Sequence, residues 1–384
     1  MLMWPPRPMS LVVGGIVPPE DVVGRVREAE EVLASLTASG AVLVGDRRHG
    51  KTSLSRLVQR MAADRGAVVV AVSAERATYA DFVAALTTEL ARLDPSWAQE
   101  LARIRVSITA GPVRLERDVR AAAAFDDLVD RAVRRAKDRL LVLFIDEVSV
   151  LARNLERTDA GSGDAFLHVL RRLRQENPGR IATVLSGSIG FHHVSGDAPS
   201  TVNDIAKIAV GPIRADHATY LAECLLLGSG TATTDRPAVA AAIAAAAENV
   251  PYYIQHLVAS ARNSWHATGV PPTPDIVDRL VDDAVDSPYD PWDLRHYRDR
   301  LPHYYGDDAP AIAKLLDVYA HAEGPLEVDV ALQRLRSEGS SITDRDALVS
   351  ALERLELDHY LVRTGTADRF ASALVRRAWT AMRR

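Results

Sequence analysis

Residues 41–66 leave this chain the fewest options. A short apolar run, Ala-Val-Leu-Val-Gly (41–45), leads straight into Gly45-Asp46-Arg47-Arg48-His49-Gly50-Lys51-Thr52. Leu54, Leu57, Val58 and Met61 then recur at helical spacing until Gly66 stops them. A buried strand, the pattern GxxxxGK[ST] and an amphipathic helix form one unit, and its loop is built to hold phosphate. Gly45 and Gly50 let the backbone curl so that successive N–H groups face an anion. The helix that follows adds its positive end. The chain has 46 basic residues, of which only four are lysine (Lys51, Lys137, Lys207 and Lys314). A lysine at 51 in so arginine-rich a sequence marks a slot that needs a compact ammonium on a flexible stem, where a planar guanidinium has the wrong shape. Thr52 offers a hydroxyl to Mg²⁺. Gly45 through Ser53 are therefore expected to cradle a nucleotide, with Lys51 on its β- and γ-phosphates.

Four more runs share the character of the first: 67–73, 140–146, 181–187 and 207–213. Each is short and nearly free of charge, as suits strands covered on both faces of a parallel sheet. Helical patterns separate them; Thr78 and Asp81 form the start signal of one, and Phe82, Leu86, Leu90 and Leu93 its stripe. The alternation predicts a layered α/β domain with right-handed crossovers. The third run, Leu-Leu-Val-Leu-Phe-Ile-Asp-Glu (140–147), ends in two acids. Acids at the carboxyl end of a strand lie on the ligand edge of an open α/β sheet. There Asp146 is placed to hold Mg²⁺ through its water shell, and Glu147 to take a proton from an attacking water.

A run between the two motifs and a glutamate after the aspartate are typical of additional-strand P-loop ATPases. On the phosphate loop and the Phe-Ile-Asp-Glu strand, the chain resembles the AAA+/STAND-type ATPases, in particular the archaeal-ATPase-like group, over nearly its whole length. The resemblance implies a five-stranded parallel core, ATP/ADP and Mg²⁺ as cofactors, and slow or partner-stimulated hydrolysis. It places Val23, Gly24 and Arg25 of "DVVGRVREAEEVL" (21–33) near adenine. It places a polar γ-phosphate sensor at the end of "IATVLSGS", on Ser186 or Ser188, with Ser188 the expected nucleotide contact. "ENVPYYIQHL" (248–257) is similar to the lid segment whose proline touches nucleotide, here Pro251; Asn249 stands where that family has glycine.

At 384 residues the chain is expected to hold more than one domain. An N-terminal extension (1–19) precedes the ATPase core (20–213). A helical lid (214–285), an acidic connector (286–308) and a winged helix-turn-helix (309–384) follow. Residues 274–308 carry ten Asp against four Arg and three prolines after 287, which predicts a partly extended connector. The net charge of −5 gives no general attraction to nucleic acid or anionic membrane. One cysteine, Cys224, rules out an internal disulfide and suits a reducing cytoplasm. "AVAAAIAAAA" (238–247) is too short to span a bilayer. Arg171, Arg172, Arg174 and Arg180 are candidates for an arginine finger, and His192–His193 reads as loop.

Two uses of the nucleotide are open at this point. In one, the nucleotide state switches self-association or the recruitment of a protein partner through the winged helix. In the other, the chain acts on DNA as replication initiators and transposon helpers do. Residues 343–357 carry two Arg against four acidic residues, and 310–384 is neutral, which disfavours a helix that enters a groove. Arg363, Arg369, Arg376, Arg377, Arg383 and Arg384 remain able to track phosphate. A third reading, nucleotide held without turnover, is opposed by Glu147.

Overall fold

The structure, a computed structural model, describes residues 5–75, 78–110, 114–196 and 198–383, with residues 114 and 115 described by backbone alone. Its contacts divide the chain into two compact units, Ile16–Gly211 and Met1–Gly15 with Pro212–Arg384.

The first unit is built on five parallel strands: β1 (Gly40–Val44), β2 (Val68–Ser73), β3 (Leu141–Asp146), β4 (Ile181–Ser186) and β5 (Ala206–Ala209), in the spatial order β2-β3-β4-β1-β5. Its helices are α1 (Val26–Ser35), α2 (Lys51–Asp64), α3 (Tyr79–Leu93), α4 (Ala98–Thr109), α5 (Arg114–Ala136), α6 (Val148–Thr158) and α7 (Ser162–Glu176). The alternation of side chains along each strand sorts the core into two layers. Leu141, Leu143 and Ile145 of β3 pack with Phe82, Phe125, Leu151 and Phe166, on α3, α5, α6 and α7. Val142 and Phe144 of the same strand pack on the other face with Val32 of α1 and Leu54 and Val58 of α2. Strands with both faces covered have no room for charge, which is why these runs were legible. Thr78 and Asp81 close a capping box at the start of α3.

The strand order matters for the site. β4 lies between β1 and β3, with Val42 opposite Leu185 and Ile145 also opposite Leu185. The phosphate loop after β1 and the acids after β3 therefore open on one sheet edge, with the end of β4 between them.

The second unit contains α8 (Ala215–Gly228), α9 (Arg236–Ala246), α10 (Pro251–Thr268), α11 (Pro274–Asp286), α12 (His296–Asp299), α13 (Leu301–Tyr305), α14 (Ala309–Ala320), α15 (Val328–Ser337), α16 (Arg345–Leu357) and α17 (Ala373–Met382). A small antiparallel sheet joins β6 (Leu326–Glu327), β7 (Leu361–Thr364) and β8 (Ala367–Phe370) in the order β6-β8-β7. Residues 5–15 belong to this unit. Met9 is buried, its N–H bonds the Cys224 carbonyl at 3.0 Å, and its backbone runs where a Cβ on Gly228 would stand, 1.8 Å from the Met9 oxygen.

The segment 286–308 is more compact than a partly extended acidic connector. It folds into turns and the short helices α12 and α13, and Trp292, Leu294, Tyr297, Leu301 and Tyr305 are buried. The Asp290 carboxylate accepts the N–H groups of Leu294 and Arg295 at 2.7 and 2.9 Å. Arg300 lies over the rings of Tyr297 and Tyr360, 4.6 and 4.4 Å from their centroids, and donates to the Tyr360 hydroxyl at 2.8 Å. Aromatic burial and cation–π contact outweigh a run of aspartates that costs little while it faces water.

Candidate functional site

The site grows from the loop between β1 and α2. Gly45 has no room for a side chain, because a Cβ there would lie 2.1 Å from the Val210 carbonyl oxygen. Gly50 caps α2 at φ 89°, a conformation that suits glycine. Arg48 shares the left-handed region at φ 73°. Asp46 is buried, and its carboxylate accepts the N–H of Arg47 at 2.7 Å. Arg47 is exposed, His49 and Ser53 are half-buried, and the His49 ring nitrogen Nδ1 lies 3.3 Å from the Val210 oxygen.

Lys51, the first residue of α2, is 8% exposed. Its ammonium donates to the carbonyls of Gly45 and Asp46 at 2.8 and 3.0 Å, so it bends back across its own loop. Burial lowers its pKa, opposed by the charges of Asp46, Glu147 and Asp146. A cation held in a desolvated cradle of backbone and carboxylates gains most from an anionic ligand. The residues present thus fit a polyphosphate.

The acids complete the edge. Asp146 ends β3, and its carboxylate accepts from Ser186 Oγ at 2.5 Å, from the Glu147 N–H at 3.1 Å and from Thr52 Oγ1 at 3.1 Å. A hydroxyl and a carboxylate at that separation, with Ser186 holding the carboxylate, are a donor set of hard oxygens that suits Mg²⁺. Glu147 caps α6 with φ 57°, an uncommon conformation for a glutamate. Its carboxylate oxygen Oε2 accepts both the N–H and the hydroxyl of Ser188, at 2.8 and 2.7 Å. Both serines at the end of β4 are thus engaged, each on a different acid.

The softer sequence assignments divide. Gly24 (φ 74°) and Val23 precede α1 in the same unit. Arg25 is 2% exposed; it pairs with Glu28 at 3.1 Å and donates to the His49 carbonyl at 2.6 Å and the Gly211 carbonyl at 2.5 Å. It braces the phosphate loop from behind, a role its spacing did not signal. Pro251 is the first residue of α10 in the second unit, after Asn249 at φ 59°.

None of the four finger candidates projects unpartnered. Arg171 donates to the Ser200 carbonyl at 3.2 Å, Arg172 pairs with Asp126, and Arg180 donates to the Val133 carbonyl at 3.0 Å. Arg174 is fully buried; it forks onto Asp204 at 2.8 and 2.9 Å and reaches Thr183 and the Thr201 carbonyl. Its guanidinium is a core strut, since extracting it would leave Asp204 without its partner.

No protein-family model matches the sequence, and no curated protein matches it; solved structures do. The Walker-type ATPase PABY2304 of Pyrococcus abyssi aligns at a TM-score of 0.63 with 15% identity, over 94% of this chain and 97% of that one. The fold is that of a P-loop ATPase. Two looser likenesses are the RuvB Holliday junction branch migration motor of Thermotoga maritima (TM-score 0.43, 13% identity, 91% of this chain and 92% of that one) and the ORC2 protein of Aeropyrum pernix (0.46, 14%, 96% and 95%). At those scores neither adds to the assignment. Within the P-loop ATPase fold, Gly45–Ser53, Asp146, Glu147 and Ser188 stand on one edge of one sheet. Among the described residues, no helix is long and apolar enough to cross a membrane.

Proposed function

We propose that the chain binds ATP with Mg²⁺ and hydrolyses it slowly, and that the nucleotide state controls assembly or the recruitment of a protein partner, as in AAA+/STAND-type switches. The observation that carries the reading is the convergence of Lys51, Thr52, Asp146, Glu147 and Ser188 at the carboxyl ends of β1, β3 and β4.

Lys51 releases the Gly45 and Asp46 carbonyls and turns its ammonium to the β- and γ-phosphates. Thr52 and Asp146 hold Mg²⁺, which neutralises phosphate charge when bound. Glu147 orients water and takes its proton. Two hydrogen bonds from Ser188 fix the position of that carboxylate. The Ser188 hydroxyl has one proton to donate, so turning it to a γ-phosphate oxygen frees Glu147 from one of the two. Val23 and Gly24 line the adenine end with Arg25 behind them, and Pro251 meets the nucleotide from the lid.

Helices α14, α15 and α16 with the sheet β6-β8-β7 support a winged helix for the C-terminal part. Its basic residues favour a protein partner over DNA. Arg345 and Arg354 lie 3.5 Å from Asp329 and Asp308, Arg363 lies 3.4 Å from Asp368, and Arg377 and Arg383 pair with Asp282 and Asp317. Arg369 and Arg376 donate to backbone carbonyls; Arg384 lies outside the described residues. Cations already matched by carboxylates release few counterions from DNA.

Phosphate release from ATP·Mg tests the chemistry. Glu147→Gln is expected to bind ATP as wild type does and to lose turnover by about 100-fold or more. Equal, negligible release from both proteins would leave a nucleotide-holding module that does no hydrolysis.

A further inference from the structure

We propose that Glu248 is the latch that fastens the C-terminal winged-helix part to the lid turn that carries Pro251, and that the latch opens when this turn is re-aimed. The inference rests on the proposed role of Pro251 at the nucleotide.

The first observation is a residue in the wrong place for its type. α9 ends in a Schellman turn: the Glu248 N–H bonds the Ala245 carbonyl and the Asn249 N–H bonds the Ala244 carbonyl, both at 2.9 Å. The position just past the helix cap in this turn is left-handed and is usually glycine. Here it is Glu248, at φ 51°, followed by Asn249 at φ 59°. A Cβ crowds the carbonyl in that conformation. Such strain persists where the surroundings over-determine it.

The second observation is where the side chain goes. Glu248 Oε1 accepts the N–H groups of Ala373 and Leu374, at 2.6 and 3.0 Å, across 125 residues of sequence. Those are the first two residues of α17. Ser372 Oγ accepts the third N–H, from Val375, at 3.0 Å. The opening turn of α17 thus takes two of its caps from the lid, with a carboxylate on its positive end. α17 is in turn bound into the C-terminal part: Trp379 Nε1 donates to Asp317 on α14 at 2.8 Å, and Arg376 donates to the Ala320 carbonyl at 2.9 Å. Arg377 pairs with Asp282 on α11 as a second, exposed tie.

The third observation is what else holds the turn. The Asn249 carbonyl accepts the Ile213 N–H at 3.0 Å. Two residues upstream along the chain, the Gly211 carbonyl accepts from Arg25, which also holds the His49 carbonyl of the phosphate loop. Glu248 is therefore bonded directly to α17, and the carbonyl of the next residue in the turn is bonded to Ile213.

Hydrogen exchange on the full-length protein, read on peptides that cover Ala373 and Leu374, tests this. Glu248→Gly suits the turn better than glutamate does and so does not endanger folding. Without nucleotide it is expected to speed exchange at these two amides by about tenfold, with Glu248→Gln in between. In a Glu147→Gln background ATP·Mg is expected to speed the same amides when Glu248 is present and to change nothing when it is glycine. Exchange in Glu248→Gly within twofold of wild type overturns the latch. Bound ATP, verified by calorimetry, that leaves these amides as slow as in the free protein overturns its opening. Failure of ATP to bind at all sinks the nucleotide reading instead, and the nucleotide-free comparison then decides the latch alone.

Discussion

Lys51 is the residue on which the composition argument can be tested. An arginine there keeps the charge but presents a planar fork to a cradle shaped by the Gly45 and Asp46 carbonyls, 2.8 and 3.0 Å from the ammonium. Lys51→Arg is expected to weaken nucleotide binding by about tenfold or more in a fluorescent-nucleotide titration. Wild-type affinity in that variant would mean that the scarcity of lysine elsewhere says nothing about position 51. Glu147 and Ser188 show the limit of reading single residues. Each type was legible as a candidate from its place after a buried run. Their mutual bonds, 2.7 and 2.8 Å, join positions 41 residues apart and depend on β4 lying beside β3. Arg174 and Arg25 were harder still, because an arginine that braces a core looks in sequence like one that faces water.

Among the elements, the hairpin β7–β8 holds a buried charge that makes its stability depend on pH. Asp368 on β8 is 2% exposed. Its Oδ1 lies 3.4 Å from Arg363, while its Oδ2 and the buried Tyr319 hydroxyl find no hydrogen-bond partner among the described residues. Burial raises the Asp368 pKa, and Arg363 only partly opposes this. The folded chain therefore holds a proton that the unfolded chain releases at the ordinary carboxylate pKa of about 4. Stability from this group is full below that value and is lost as pH rises through the folded one. Asp368→Asn is expected to raise the thermal midpoint relative to wild type at pH 7.5 and to shrink that advantage at pH 4.5. A difference between the two proteins that is the same at both pH values would sink the assignment. The segment 286–308 teaches a related lesson. Its charge favours an extended chain, yet the burial of Trp292, Tyr297 and Tyr305 decides that it packs.

For the whole molecule, the proposed switch makes a prediction about size. Glu147→Gln, examined by light scattering in ATP·Mg and then in ADP·Mg, is expected to form a discrete oligomer in ATP alone. With Arg171, Arg172, Arg174 and Arg180 all engaged inside their own subunit, an arginine that completes the site would come from elsewhere on a neighbouring copy. A monomer in both nucleotides would move the search to a partner held by the C-terminal part, and salt-sensitive retention on DNA lost in Arg363→Glu would revive the nucleic-acid reading.

The sequence by itself determined the sheet and the loop. Strands covered on both faces admit almost no charge, so local pattern was enough to place β1, β3 and β4, with residues 45–52 in the turn after β1 and Asp146 and Glu147 at the end of β3. Tertiary structure alone decided which partners these residues take. The order β2-β3-β4-β1-β5 brings Ser186 and Ser188 onto the two acids; in the other unit, helix packing brings a bend at Glu248 onto a helix 125 residues away. Such contacts are set by how layers stack, and no periodicity in the chain encodes the distance between two residues that meet only after folding.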